Sequence, residues 1–322
     1  MQTDELFLEP LILTDRLTSF IRESADDLRR DGAIVGLSGG IDSAVVAALA
    51  ARALGPQKVL GLVLPEHDSA PESRRLALQQ GRDLGIRCET IRLTSLLALL
   101  GVYRQIPLWL LPTRRLRERM VRQYYAAHSG FAGEGETPFS AVMLGTRGMQ
   151  GPWLNQAVAY HRVKGRLRMA VLYYHAELNN MLVVGTCNRT ELAVGFFVRH
   201  GDTAADIAPL ASLYKTQVRQ LAAHLGVPGE IIGRPPSPDM LPGLTDEQAM
   251  GLEYAVLDRI LWRMERGTDA GRIATDLGLD ASQVSYVEKL VQRAAVLRAT
   301  ARVPGSLAMR RDREAPGQAL AE

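Results

Sequence analysis

The amino-acid sequence predicts an α/β fold: a doubly wound parallel sheet with flanking helices, followed by a mostly helical C-terminal part. Three observations predict it. Short apolar runs of strand length alternate with longer segments of helical period over the first two-thirds of the chain. A glycine-rich turn separates the first of those runs from the helix after it. Beyond Leu210 the apolar spacing is mostly helical.

In order, Leu11 to Arg30 carries Leu13, Leu17, Phe20, Ile21 and Leu28, a spacing that predicts an opening amphipathic helix. Ala33 to Leu37 is an apolar run of buried-strand type, and Ser38-Gly39-Gly40 ends it. Ile41 to Leu54 is rich in alanine and leucine and closes on Gly55-Pro56, which reads as a helix with its stop. Val59 to Leu64 is a second strand, Pro71 to Leu84 a helix stopped by Gly85, and Arg87 to Leu93 a third strand. Lys164 to Glu177 is helical and Met181 to Gly185 is another strand. Val218, Leu221, Ala222 and Leu225 form one stripe before Gly226-Val227-Pro228, and helices are expected over Asp246 to Arg266 and Ser282 to Arg298.

Two stretches sit outside this pattern. Gly101 to Tyr160 holds Trp109, Trp153 and the run Gly130 to Gly135; it reads as an irregular insertion with one basic helix near Arg114 to Ala127. Residues 304–322 read as a disordered tail after a single domain over 1–303.

Composition narrows the function classes. The 38 basic and 35 acidic residues give a net charge of only +3, which does not support a nucleic-acid or membrane surface. The 2 cysteines, Cys88 and Cys187, make no CxxC pair, so neither a disulfide framework nor a zinc site is expected. The acidic start, Met1 to Glu5, lacks the pattern of a signal peptide, and no apolar stretch approaches the ~20 residues of a membrane span. The chain reads as cytoplasmic.

The chemistry is carried by Gly36-Leu37-Ser38-Gly39-Gly40-Ile41-Asp42-Ser43. A strand-to-helix turn in a doubly wound fold points free backbone N–H groups and the helix dipole at its ligand, which favours phosphate. Ser38 and Ser43 add hydroxyls, and the glycines permit close approach. Asp42 beside a polyphosphate implies a divalent cation between them, Mg2+. The GxxxxGK[ST] lysine and the GxGxxG pattern are both missing. SGGxDS arises by chance in a chain of this length on the order of once in ten thousand.

In this position SGGxDS resembles the loop of the PP-loop ATP pyrophosphatases, whose adenine-nucleotide-hydrolase-like, Rossmann-like fold matches the predicted sheet. Further blocks are similar to ammonia-dependent NAD synthetase. Val184 to Glu191 resembles GTxNxTE, Gly195 to Asp206 resembles GxFTKYGDGAAD, and Lys164 to Met169 resembles KARxRM. Pro209 to Val218 and Pro235 to Met240 follow in order, so the resemblance spans roughly two-thirds of the chain. It implies amidation of a carboxylate through an acyl-adenylate: deamido-NAD, ATP and ammonia give NAD, AMP and pyrophosphate. It also implies a homodimer.

Carried over residue by residue, the resemblance places Asp42 and Glu191 on magnesium, and Lys215 on the triphosphate as a catalytic residue with Asp42. Thr186 and Ser237 join Gly36 to Ser43 in binding ATP. Arg166, Arg199 and Asp206 fall on deamido-NAD positions. Three departures stand out: Arg162 replaces an asparagine, Arg199 replaces a lysine, and Ala299-Thr300-Ala301-Arg302-Val303-Pro304 stands where the family has HKRxxP. The ATP half matches more closely than the acceptor half, which leaves open a related carboxylate acceptor or a non-catalytic nucleotide-binding scaffold. No cysteine is placed to serve a glutamine-hydrolysing domain, so free ammonia or a separate ammonia-supplying subunit is the expected nitrogen source.

Overall fold

The computed structural model describes residues 5–105, 110–128, 139, 152–237 and 242–298. Trp109, the run Gly130 to Gly135, Pro238 to Met240, the 299–304 segment and the expected tail lie outside the described residues.

Helix α1 (Pro10–Asp27) leads into β1 (Gly32–Gly36), α2 (Ile41–Leu54), β2 (Val59–Val63), α3 (Pro71–Asp83) and β3 (Arg87–Thr90). Short helices α4 (Thr94–Leu99) and α5 (Val102–Gln105) precede the basic helix α6 (Arg114–His128) and the long α7 (Pro152–Leu178). Then come β4 (Met181–Val184), α8 (Arg189–Val194), α9 (Lys215–His224) and α10 (Gly229–Ile232). The chain continues through α11 (Asp246–Met250), α12 (Tyr254–Met264), α13 (Ala270–Leu277) and α14 (Ala281–Arg298).

The four strands are parallel in the order β3-β2-β1-β4. Alternation along the strands divides the core. Ala33, Val35, Val59, Val63, Leu182 and Val184 share one apolar cluster with residues of α1, α2 and α9. Ile34, Leu60, Leu62 and Val183 belong to a second cluster, with Met169, Leu172 and Ala176 of α7. Both faces are therefore covered, as near-continuous apolar strands require. The chain turns to opposite sides of β1 for β2 and for β4, so a crevice opens above the carboxyl ends of β1 and β4.

A third cluster holds the helical part together, with Tyr254, Leu257, Ile260, Val284, Val287 and Leu290 buried. It includes Ala193 and Val194 of α8, so the helical part packs directly behind a helix that carries Glu191.

Several boundaries differ from expectation: β3 ends at Thr90 rather than Leu93, and α5 and the start of α7 lie in the Gly101 to Tyr160 stretch expected to hold one helix. The helix expected over Asp246 to Arg266 is split by Gly251, whose φ of 72° is a left-handed stop. Helix α13 was not expected; Asp269 accepts from the N–H groups of Gly271 and Arg272, and Gly278 closes it. The helix expected over Lys164 to Glu177 is the C-terminal half of the 27-residue α7.

Gly61 is a close-packed point of the central strands. A Cβ there would lie 2.5 Å from Leu37 Cδ1 and 3.1 Å from Cys88 Sγ. Leu37 is itself buried and has little room to move. Gly61→Ala is therefore expected to cost about 1–3 kcal/mol of unfolding free energy by denaturant titration. An unchanged midpoint would contradict this packing.

Candidate active site

The glycine turn sits where β1 gives way to α2. Ser43 Oγ donates to Gly40 O (3.0 Å) and accepts from Ser38 N (3.2 Å). Ser38 Oγ accepts from Gly40 N (3.2 Å). The two serines therefore fix the loop from inside. Gly39 has φ 75°, and a Cβ on it would be 2.2 Å from Ser73 O, so only glycine fits. Arg234 closes the turn from outside, donating to Gly39 O (3.4 Å) and Ser73 Oγ (2.8 Å).

Asp42 in the first turn of α2 meets two residues brought from far along the chain. Asn188 caps α8 in a reciprocal box: its Oδ1 accepts from Glu191 N (3.0 Å), and Glu191 Oε2 accepts from Asn188 N (3.2 Å). The same asparagine donates through Nδ2 to Asp42 Oδ1 (3.1 Å). One cap therefore orients both carboxylates.

Between them stands the Lys215 ammonium, bonded to Asp42 and to Glu191 Oε1 at 3.4 Å. Lys215 opens α9, where the helix dipole disfavours a cation. Buried Asp258 offsets this by accepting from Thr216 N (2.8 Å) and from Thr190 Oγ1 (2.6 Å), while Thr190 Oγ1 accepts from Lys215 N (2.9 Å).

Charge balance at this point is strained in a useful direction. Burial pushes Glu191 up to about 8, aided by Asp42 and opposed by Lys215. Burial also raises Asp246, to about 6, against the pull of Lys215. For Lys215 burial works the other way, but Asp42, Glu191 and Asp246 outweigh it and hold the ammonium above its ordinary range.

These residues line a cleft of about 260 Å³ above β1 and β4. Gly36, Leu37, Ser38, Gly40, Ile41, Asp42, Thr186, Glu191, Lys215 and Ser237 all face it. Gly39 and Ser43 shape the loop from behind. Arg166, Arg199 and Asp206 are not on its wall: Arg166 Nε donates to Arg199 O (3.2 Å), and Asp206 accepts from Tyr173 OH (2.8 Å) and Val183 N (2.8 Å).

Magnesium fits the donor set. Asp42 and Glu191 already share one cation, and both offer hard oxygens. Two carboxylates completed by phosphate and water is the arrangement this ion prefers.

Sequence reasoning missed Asp246, His161, Arg168 and Arg234, which also line the cleft. Asp246 looks like an ordinary first-turn acid; only the fold shows it buried, with Tyr254 OH on Oδ2 (2.9 Å) and Oδ1 lacking a partner among the described residues. Asn188 was legible in principle, because N-x-x-E is a capping-box spacing.

A buried charge cluster braces the rim. Lys164, fully buried, donates to Glu66 Oε1 (3.1 Å) and Asp68 Oδ2 (2.7 Å) and lies 4.0 Å from the Tyr160 ring centroid. Tyr103 OH donates to Glu66 (2.8 Å), and Arg114 of α6 donates to Ser69 O (2.9 Å). Burial alone would raise Asp68, but the Lys164 charge and the bonds from Lys164, Tyr160 and His67 hold it below the usual carboxylate range. The cluster ties Pro65 and Ser69 of the cleft rim to α7 and α6.

Comparison with known proteins decides the family. The family model described as NAD synthase matches residues 13–131 and 141–301. The chain belongs to the NAD synthase family. It is 42% identical over 282 residues to the NH(3)-dependent NAD(+) synthetase of Coprothermobacter proteolyticus, covering 86% of this chain and 94% of that one. Identity to the Thermotoga maritima NH(3)-dependent NAD(+) synthetase is 39%, covering 87% and 94%. Among solved structures, NMN synthetase from Francisella tularensis aligns with TM-score 0.66 and 26% identity, covering 93% of this chain and 100% of that one. NH3-dependent NAD synthetase from Campylobacter jejuni aligns with TM-score 0.65 and 23% identity, covering 92% and 100%, and so shares the fold. Among the described residues no helix is long and apolar enough to cross a membrane.

The raised Glu191 has a measurable consequence. A cation that binds its carboxylate displaces a proton wherever Glu191 is protonated in the free protein, which is below about pH 8. Binding of Mg2+ and ATP, followed by calorimetry in two buffers of different ionisation enthalpy, is expected to release close to one proton at pH 7. Release is expected to fade by pH 9 and to disappear in Glu191→Gln. Proton uptake, or release unchanged in the variant, would refute the coupling.

Proposed function

We propose that the chain catalyses the ATP-dependent amidation of deamido-NAD with ammonia, giving NAD, AMP and pyrophosphate. The observation that carries this reading is the meeting of Asp42, Glu191 and Lys215 beside the glycine turn, within a chain of the NAD synthase family.

In this reading the Ser38 to Ser43 loop receives the phosphates of ATP through backbone N–H groups and hydroxyls. Thr186 and Ser237 hydrogen-bond the nucleotide from the facing walls. Asp42 and Glu191 hold magnesium, which supplies charge neutralisation to the phosphates. A carboxylate oxygen of the acceptor attacks the α-phosphorus and the bond to the β-phosphate oxygen breaks. Lys215, released from its two acids as phosphate arrives, neutralises the departing pyrophosphate. Ammonia then attacks the acyl carbon, AMP leaves with the electron pair, and one proton is released.

Arg166, Arg199 and Asp206 serve the acceptor outside the ATP cleft. Their position away from its wall supports an acceptor that extends beyond the pocket rather than one enclosed by it. The homodimer, and ammonia that arrives free or from a separate subunit, are taken from the family resemblance.

The test is pyrophosphate release by the purified protein with ATP, Mg2+, an ammonium salt and a panel of acids including deamido-NAD and nicotinate mononucleotide. Deamido-NAD is expected to give the highest rate, and Asp42→Ala to lower it by at least about a hundredfold. Nucleotide turnover best supported by another acid would overturn the acceptor assignment. Absence of turnover with every acid would overturn the enzyme.

A further inference from the structure

One buried polar group on the cleft wall is used by none of the steps above. His161 lies on α7, is 7% exposed, and faces the cleft. Its Nδ1 has no hydrogen-bond partner among the described residues. A buried ring nitrogen left without a partner carries a desolvation cost that an arriving hydrogen-bonding ligand removes. Burial, reinforced by Lys164, Arg162 and Arg168, pushes the imidazole down to about 3, so at neutral pH the ring is uncharged and offers one N–H and one lone pair.

The cleft lining is of two kinds. The glycine loop, Asp42, Glu191, Lys215 and Asp246 are polar or charged. Leu62, Leu64, Met169 and Leu172 belong to one apolar cluster and supply an apolar slot. A nucleotide whose triphosphate runs toward Lys215 therefore lays its base in the slot, where flat apolar area is buried and a few polar groups fix orientation. His161, Gly165, Met169 and Leu172 recur at helical spacing on the face of α7 that forms the slot's wall.

We propose that His161 Nδ1 accepts a hydrogen bond from the 6-amino group of the bound ATP, making it a residue that determines base specificity. The proposal rests on ATP being the nucleotide of this cleft, and it concerns binding alone, so it can be tested without catalysis. His161 is nonetheless a wall residue of the binding site, and its replacement is expected to change affinity.

The test compares equilibrium binding of ATP and of purine riboside 5′-triphosphate, which lacks the 6-amino group, in the presence of Mg2+. The unchanged protein should bind ATP about tenfold more tightly than the analogue, the worth of one hydrogen bond that also satisfies a buried group. His161→Leu should erase that preference by weakening ATP about tenfold more than it weakens the analogue. His161→Asn, whose side-chain amide can occupy the Nδ1 position, should restore the preference, and His161→Gln, which reaches toward Nε2, should not. Equal loss of both nucleotides in His161→Leu, or no preference in the unchanged protein, overturns the proposal. Failure of the ligase reading would appear elsewhere, as missing pyrophosphate release with the binding pattern intact.

Discussion

The Lys215 ammonium, held between Asp42 and Glu191, is the interaction on which the rest of the site depends. It brings the first turn of α2, the capping box of α8 and the start of α9 to one point. Two acids this close would repel each other without a cation, and a lone buried lysine would lose its proton. Together they are stable, and they are also exchangeable: a divalent ion can take the acids while phosphate takes the lysine. In the proposed reading, a site that takes up a divalent ion and polyphosphate and then releases pyrophosphate benefits from having both charges internally balanced beforehand.

The fold is arranged to hold that point still. Thr190 and Thr216 are pinned by one buried carboxylate, Asp258, on the helix behind the site. Asn188 joins the capping of α8 to the orientation of Asp42. On the opposite rim, Lys164 is shared by Glu66 and Asp68 with Tyr160 and Tyr103 around them, so a loop that lines the cleft is fixed to α7. Breaking one member of such a buried set costs about 3–5 kcal/mol, because the remaining charge loses its partner.

Much of this was legible in the sequence, and for identifiable reasons. The parallel sheet follows from apolar runs bounded by glycine, and α2 has the expected limits because Gly40 and Gly55 bracket it. The glycine loop, Glu191 and Lys215 carry recognisable patterns, and the family they resemble is the one to which the chain belongs. Residues whose importance depends on tertiary burial were not legible. Asp246 and His161 are ordinary letters at ordinary helix positions, and only the fold removes their solvent and leaves Oδ1 and Nδ1 unpaired. Gly251 hid a helix break inside an apolar pattern, since periodicity alone cannot show a left-handed glycine.

The most direct measurement is the unfolding free energy of Lys215→Met, with and without Mg2+, at pH 9, where Glu191 is mostly ionised in the parent. With the ammonium gone, Asp42 and Glu191 lose the cation they share, and the variant should lose about 3–5 kcal/mol relative to the parent. Added Mg2+ should return a substantial part of that loss in the variant and do far less for the parent. A variant as stable as the parent and indifferent to Mg2+ would show that these carboxylates do not share a cation site.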